Sequence, residues 1–241
     1  MNRQHLVSLG RHSMAVLLLG LLATSCGKDG ATGPAGPAGP PGPPGGTSPS
    51  NVLGVDDPLP GLTATITSIS GGTGANGNFL PGDSITANFT LKRTDNDENV
   101  AWEFITRANA IVSGPTSNYN RVQASKSYSS AVVDNGDGTF TVTLDPLPAT
   151  FIAPYNDTTD WTEGELTGQP LVDGTYVLGF EFRAEYVVGG NTYRDPANVQ
   201  IHFLLGGATT IDKRELVTQA NCTNCHENIR LHGGNRLDVG N

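Results

Sequence analysis

Between Thr175 and Tyr186 apolar and other side chains alternate: Tyr176, Leu178, Phe180, Phe182, Ala184 and Tyr186 fall on one face, leaving the residues between them to a more exposed side. A period of two sustained over this length predicts a β-strand. The same period recurs in shorter runs. Ile85, Ala87, Phe89 and Leu91 share a face after the turn Pro81-Gly82-Asp83, and Phe140, Val142 and Leu144 do so after Asp134-Asn135-Gly136-Asp137-Gly138. Val187-Val188, then Gly189-Gly190-Asn191, then Thr192-Tyr193 predict a hairpin into the next strand, and Val199 to Leu205 predicts the last one. The body opens near Val52 with VLGVDDPLPGLTATITSIS. Several short strands separated by Gly, Asp and Asn turns predict a mainly β fold over residues 52–207, either a Greek-key β-sandwich or a split β-barrel.

The chain outside this body has different patterns. Arg3 and Arg11 precede the apolar run Ala15 to Ala23, which reads as an export signal over residues 1–25 and is too short for a spanning helix. Ala23-Thr24-Ser25-Cys26 resembles a bacterial lipobox, although Ala23 stands where leucine is usual. The resemblance implies that Cys26 is diacylated and becomes the mature N-terminus, which tethers the protein to a membrane without threading it through. An ordinary secretory signal beside an unpaired cysteine is the competing reading. From Gly27 glycine recurs every third residue, in GKD GAT GPA GPA GPP GPP. This collagen-like period over residues 26–51 fits a semi-extended polyproline stalk better than a trimer, because six triplets are few for a triple helix.

Composition narrows the function. The 241 residues include 31 glycines and only 15% charged residues, which suits turn-rich β-structure. The net charge is −9, and export would remove Arg3 and Arg11 and leave the chain more acidic still, so a nucleic acid is excluded as a partner. No G-x-S-x-G, Walker loop or G-x-G-x-x-G after a strand is present, so no hydrolytic or nucleotide-binding machinery is visible. The acidic run Asp95 to Glu98 reads as a solvated loop, and Asp134 to Gly138 reads as a hairpin turn, because a calcium loop would need a later Glu and flanking helices. Trp102 and Trp161 read as core or rim aromatics of the β-domain, and His202 as a strand histidine without a ligand role.

The chemistry concentrates near the end, in Cys222-Thr223-Asn224-Cys225-His226. Two cysteines at this spacing can each add across a vinyl group of one haem, and the adjacent histidine can ligate the iron. A zinc site would need two further ligands, and only His226, badly placed beside Cys225, and His232 are near. A thioredoxin-like pair would want a βαβ context, and a plain disulfide would leave His226 as coincidence. The pentapeptide therefore reads as a c-type haem attachment site in a short helical or loop segment over residues 208–241. Asp212 is predicted to cap a helix that continues through Glu215, Leu216 and Val217 toward Cys222. If the segment stayed helical, the six residues to His232 would turn it roughly 240° from His226, on the same side of the iron, so His232 suits a neighbouring haem.

The C-x-x-C-H, the following LHGGNR, the VDDPLPGL opening, the stalk and the lipobox, in this order, resemble the N-terminal part of the outer-membrane decahaem c-type cytochromes of the OmcA/MtrC family. The resemblance implies an outer-membrane, lipid-anchored protein facing the cell exterior and acting in extracellular electron transfer. It implies Cys222 and Cys225 as thioether anchors of haem c, His226 as the proximal ligand of the haem iron, and His232 as an axial ligand of a neighbouring haem. Metal oxides, flavins, other multihaem cytochromes or a porin–cytochrome conduit would be the partners, in electron transfer without bond-making catalysis of the protein's own. Ten haems would need ten motifs and this chain has one, so it is expected to be the beginning of a longer cytochrome. A monohaem lipoprotein is the alternative. A cell-surface binding or adhesion lipoprotein with no redox role is the rival from another class. Replacing Cys26 by alanine is expected to move the protein from the membrane to the soluble fraction in detergent-free fractionation. Full retention in the membrane would refute lipidation there.

Overall fold

The computed structural model describes residues 51–151, 168–214, 218–223, 234–235 and 237. The strands are β1 (Val52–Leu53), β2 (Leu62–Ser70), β3 (Ser84–Arg93), β4 (Ile105–Gly114), β5 (Asn120–Ser127), β6 (Val133–Asp134), β7 (Thr139–Pro146), β8 (Gly174–Val188) and β9 (Asn191–Leu205), followed by one short helix, α1 (Gln219–Thr223). One sheet has the order β2-β3-β7-β6, and the other runs β5-β4-β8 with β9 on the far side of β8 and β1 beside its end. The sheets stay open, so the fold is a sandwich and not a barrel. The order matches the Greek-key arrangement of immunoglobulin-type domains, with β3 and β8 in the positions of the two strands that such domains often join by a disulfide.

Here aromatic side chains take the place of that link. Phe89 of β3 is fully buried, with its ring centroid 4.9 Å from Phe182 and 5.8 Å from Phe180 of β8, and stacked at 5.5 Å on Phe140 of β7. Trp102, in the 3₁₀ turn before β4, packs on Phe140 at 5.4 Å, a rim aromatic as its sequence context predicts. The alternating residues of β3, β7 and β8 all point into this core, each 3% exposed or less. Tyr176, near the start of β8, donates its hydroxyl hydrogen bond to the Val172 carbonyl at 2.7 Å. This is the tyrosine corner of immunoglobulin-type sandwiches. Burial pushes its phenol up to about 12. Gly114 makes the corner possible: a Cβ there would lie 2.4 Å from the Tyr176 ring.

The predicted hairpin forms, but as one uninterrupted pair of 15-residue strands. Gly189 and Gly190 both have positive φ, 57° and 82°, which defines the two-residue turn whose twist suits paired strands. The two predicted strands after it are a single β9, because Pro196 lies inside the strand opposite Arg183. Proline is tolerated where a strand has an outer edge free of ladder bonds, and among the described residues β8 is the only strand that forms a ladder with β9.

A second departure concerns β8. Its outward residues Thr175, Val177 and Glu181 are as buried as the inward ones, at 3%, 6% and 4% exposed. Glu181 is bridged by Arg107 of β4 at 2.8 Å, and Thr175 is bonded by the chain after β9. The predicted turn at Asp134 to Gly138 is present between β6 and β7, with Asp134 and Asp137 accepting the backbone N–H of Gly136 and of Thr139 at 2.8 and 2.9 Å.

The β2–β3 connection is organised by Asp83. Its carboxylate accepts from the Thr73 N–H at 2.9 Å, the Thr73 hydroxyl at 2.8 Å and the Leu80 N–H at 2.7 Å. Burial opposes ionisation, but these three bonds outweigh it and hold the carboxyl below the ordinary range. A carboxyl depressed on folding contributes stability that is complete above its unfolded value of about 3.9 and is lost as pH falls through the folded value. Asp83→Ala is expected to lower unfolding stability by about 2 kcal/mol at neutral pH, read by denaturant titration. The gap to the parent should narrow on acidification below about pH 4; a gap constant with pH would show that the ionised form is not what matters.

Candidate functional site

The chain leaving β9 is held along the outside of the second sheet by side chains that take its backbone groups. The Asn78 amide donates to the carbonyls of Gly206 and Ala208 at 2.8 and 2.7 Å. Thr175 Oγ1 accepts from the Asp212 N–H at 2.8 Å, and Thr116 Oγ1 donates to the Asp212 carbonyl at 2.7 Å. Tyr119 donates to the Arg214 carbonyl at 3.1 Å while the Arg214 guanidinium donates to the Ser117 carbonyl. This corrects the expectation for Asp212. It does not cap a helix: both its backbone polar groups are engaged by Thr175 and Thr116, and Lys213 and Arg214 after it are not helical, while Glu215, Leu216 and Val217 lie outside the described residues. The described helix is Gln219–Thr223, with the Thr218 carbonyl accepting the Asn221 N–H at 2.9 Å.

Cys222 lies in α1, one residue before that helix ends. Its side chain, and Cys225, His226, His232, Cys26 and Trp161 altogether, lie outside the described residues. What is described is the base of the segment that carries the motif. Gln219 Nε2 donates to the Leu237 carbonyl at 2.8 Å, so the chain on either side of the C-x-x-C-H is brought together. Asn198 of β9 holds the returning arm as a strand backbone would: its Nδ2 donates to the Asn235 carbonyl at 3.1 Å and its Oδ1 accepts the Leu237 N–H at 2.6 Å. Arg183 of β8 adds a longer bond, 3.4 Å, to the Asn235 side chain, and is itself paired with Glu185 at 3.2 Å.

Gln219 and Leu237, with Leu62, Thr63 and Ala64 of β2 and Ala197 and Asn198 of β9, line a cleft of about 310 Å³ at the seam between the two sheets. His202 lies farther along β9 opposite Val177, half-buried in the strand as its sequence context predicts. Among the described residues no three His, Cys, Asp or Glu side chains converge as a metal-binding group, and no helix is long and apolar enough to cross a membrane.

Asn198, Gln219, Arg183 and Asn235 could not be selected from the sequence. A single asparagine in a strand carries no local pattern, and its role depends on a residue 39 positions away.

The described fold and site thus define a β-sandwich domain of immunoglobulin-type order with a cysteine-bearing C-terminal segment clamped to β9. No protein-family model and no curated protein matches the chain. Among solved structures it is similar to the crystal structure of the outer membrane decaheme cytochrome OmcA, at 16% identity and a TM-score of 0.43, over 78% of this chain and 30% of that one. The likeness is one of fold, and the chain spans about 30% of that protein's length.

Asn198→Ala is expected to release the arm at Asn235 and Leu237. Two hydrogen bonds at about 1 kcal/mol each amount to about 2 kcal/mol of local opening, or roughly thirtyfold faster proteolytic cleavage within residues 218–237. Cleavage at the parental rate would show that the clamp does not govern opening there.

Proposed function

We propose that this protein is an outer-membrane surface lipoprotein cytochrome that takes part in extracellular electron transfer through covalently bound haem c. The observation that carries the reading is the pentapeptide Cys222-Thr223-Asn224-Cys225-His226. Its spacing suits addition of both thiols across the two vinyl groups of one haem, each S–H adding over a C=C bond with no oxidant needed, and it leaves a histidine beside the second cysteine for the iron.

The described residues fit such a group. The motif starts in a helix, the chain on either side of it is tied together at Gln219 and Leu237, and an apolar-lined cleft opens beside that tie. In this reading Cys222 and Cys225 hold the haem, His226 is its proximal ligand and His232 serves a neighbouring haem. When bound, the haem supplies one-electron chemistry. The linker bonds at Asn78, Thr116 and Thr175 set the path from β9, and Asn198 holds the backbones of Asn235 and Leu237 against that strand. Cys26 carries the lipid, the Gly/Pro stretch is the stalk, and the partners are multihaem cytochromes or a porin–cytochrome conduit, with metal oxides or flavins as acceptors. The domains follow the boundaries 1–25, 26–51, 52–207 and 208–241, and the last carries the haem motif.

The test is a pyridine haemochrome and reduced-minus-oxidised spectrum of the chain exported in a host with c-type cytochrome maturation. One haem per chain is expected, surviving denaturation and lost in Cys222→Ala/Cys225→Ala. A folded but colourless protein would sink the electron-transfer role and leave the sandwich, as a surface binding or adhesion module, to carry the function.

A further inference from the structure

The sandwich has two lateral seams, and each opens into a cleft. At one, Val122, Gln123, Lys126 and Tyr128 of the β5 side face Asp145 and Pro146 of β7 around about 320 Å³. That seam is closed on itself: Gln123 Nε2 donates to the carbonyls of Asp145 and Pro146 at 2.7 and 3.0 Å, and Lys126 pairs with Asp145 at 2.6 Å. At the other seam, between β2 and β9, no such strand-to-strand strap is seen among the described residues. Its walls are completed instead by Gln219 and Leu237, one from each side of the C-x-x-C-H.

We propose that the cleft between β2 and β9 is the seat of the haem carried at Cys222 and Cys225, taking an apolar edge of the macrocycle against Leu62, Ala64, Ala197 and Leu237. The inference rests on the haem reading and deepens it by naming where on this chain the group is buried.

Three observations support the seat. The first is reach: Gln219 lines the cleft, and Cys222 follows three residues on in the same helix, about 4.5 Å along its axis. The second is polarity. The carbon side chains of Leu62, Ala64, Ala197 and Leu237 dominate the lining; of the two amides beside them, Asn198 has both its ends engaged by the returning arm and Gln219 donates to the Leu237 carbonyl. Such a surface offers a macrocycle removal from water, the main gain for a large apolar face. The third is size. A volume of 310 Å³ is at the lower end of the ~300–1,000 Å³ of small-molecule sites, so it accepts part of the ring and leaves the opposite edge outside, where electrons can be exchanged.

Hydrogen exchange compares the full haem-bearing chain with the Cys222→Ala/Cys225→Ala chain. Exchange is expected to slow several-fold at Leu62–Ala64 and Ala197–Asn198 when haem is attached and to stay unchanged at Val122–Lys126 of the other seam. Equal exchange in both chains at the β2–β9 seam, with the haem band present, would overturn the seat and leave the haem reading standing. A colourless parent chain overturns both and is recognised from its spectrum alone. A second variant, Ala64→Trp, fills the cleft without touching the cysteines. It is expected to keep one haem per chain and to lower its reduction potential, because a haem pushed into water favours the more charged ferric state. An unchanged potential would count against the seat.

Discussion

The pairing of β8 with β9 is the constraint on which the rest of the molecule depends. It joins two strands along all 15 residues of each through a tight two-glycine turn. One face of β8 supplies Tyr176, Leu178, Phe180 and Phe182 to the core, where Phe89 bridges to the other sheet. The opposite face supplies Thr175 and Arg183, which hold the outgoing linker and the returning arm. A slip of one residue in this pairing would exchange the two faces. It would bury Arg183 and Glu181 in the aromatic core and leave the C-terminal segment without its partners.

Sandwiches of this order often join their two sheets covalently, whereas this one relies on packed rings. The chain has three cysteines, and none lies in a strand of the sandwich. With no cysteine in the body, the thioether bonds proposed for Cys222 and Cys225 have no competing thiol there. The aromatic bridge and the thioether reading are in this sense complementary, since a sheet-to-sheet disulfide would have placed further reactive thiols in the same maturation step.

Much of the sandwich was legible because period-two alternation reports one buried face directly. The inward residues of β3, β7 and β8 were all found this way, and the turns at Asp134 and Gly189 were marked by residues that tolerate positive φ. Alternation could not show that the outer face of β8 would be buried too, since that depends on Arg107 and on a linker more than 20 residues downstream. Nor could it carry β9 across Pro196, because a proline ends most strands and is admitted here only by the edge position. At the site the contrast is sharper. The C-x-x-C-H is a local pattern with a chemical reason for its spacing, whereas Asn198 acts through a contact spanning 39 positions. The expectation for Asp212 failed for the same reason: a capping residue competes with tertiary partners, and here Thr116 and Thr175 have its backbone.

The short strand β1 has a mechanical consequence. It lies parallel to β8, with Val52 and Leu53 opposite Val187 and Val188, and the Val187 N–H donates to the Asn51 carbonyl at 2.7 Å. A pulling force applied at residue 51 along the strand axis loads these bonds together in shear, instead of peeling them apart one after another. The load then passes into β8, the strand held on both sides by its sheet. A domain towed from its N-terminal side is thus gripped through its most extensively paired strand.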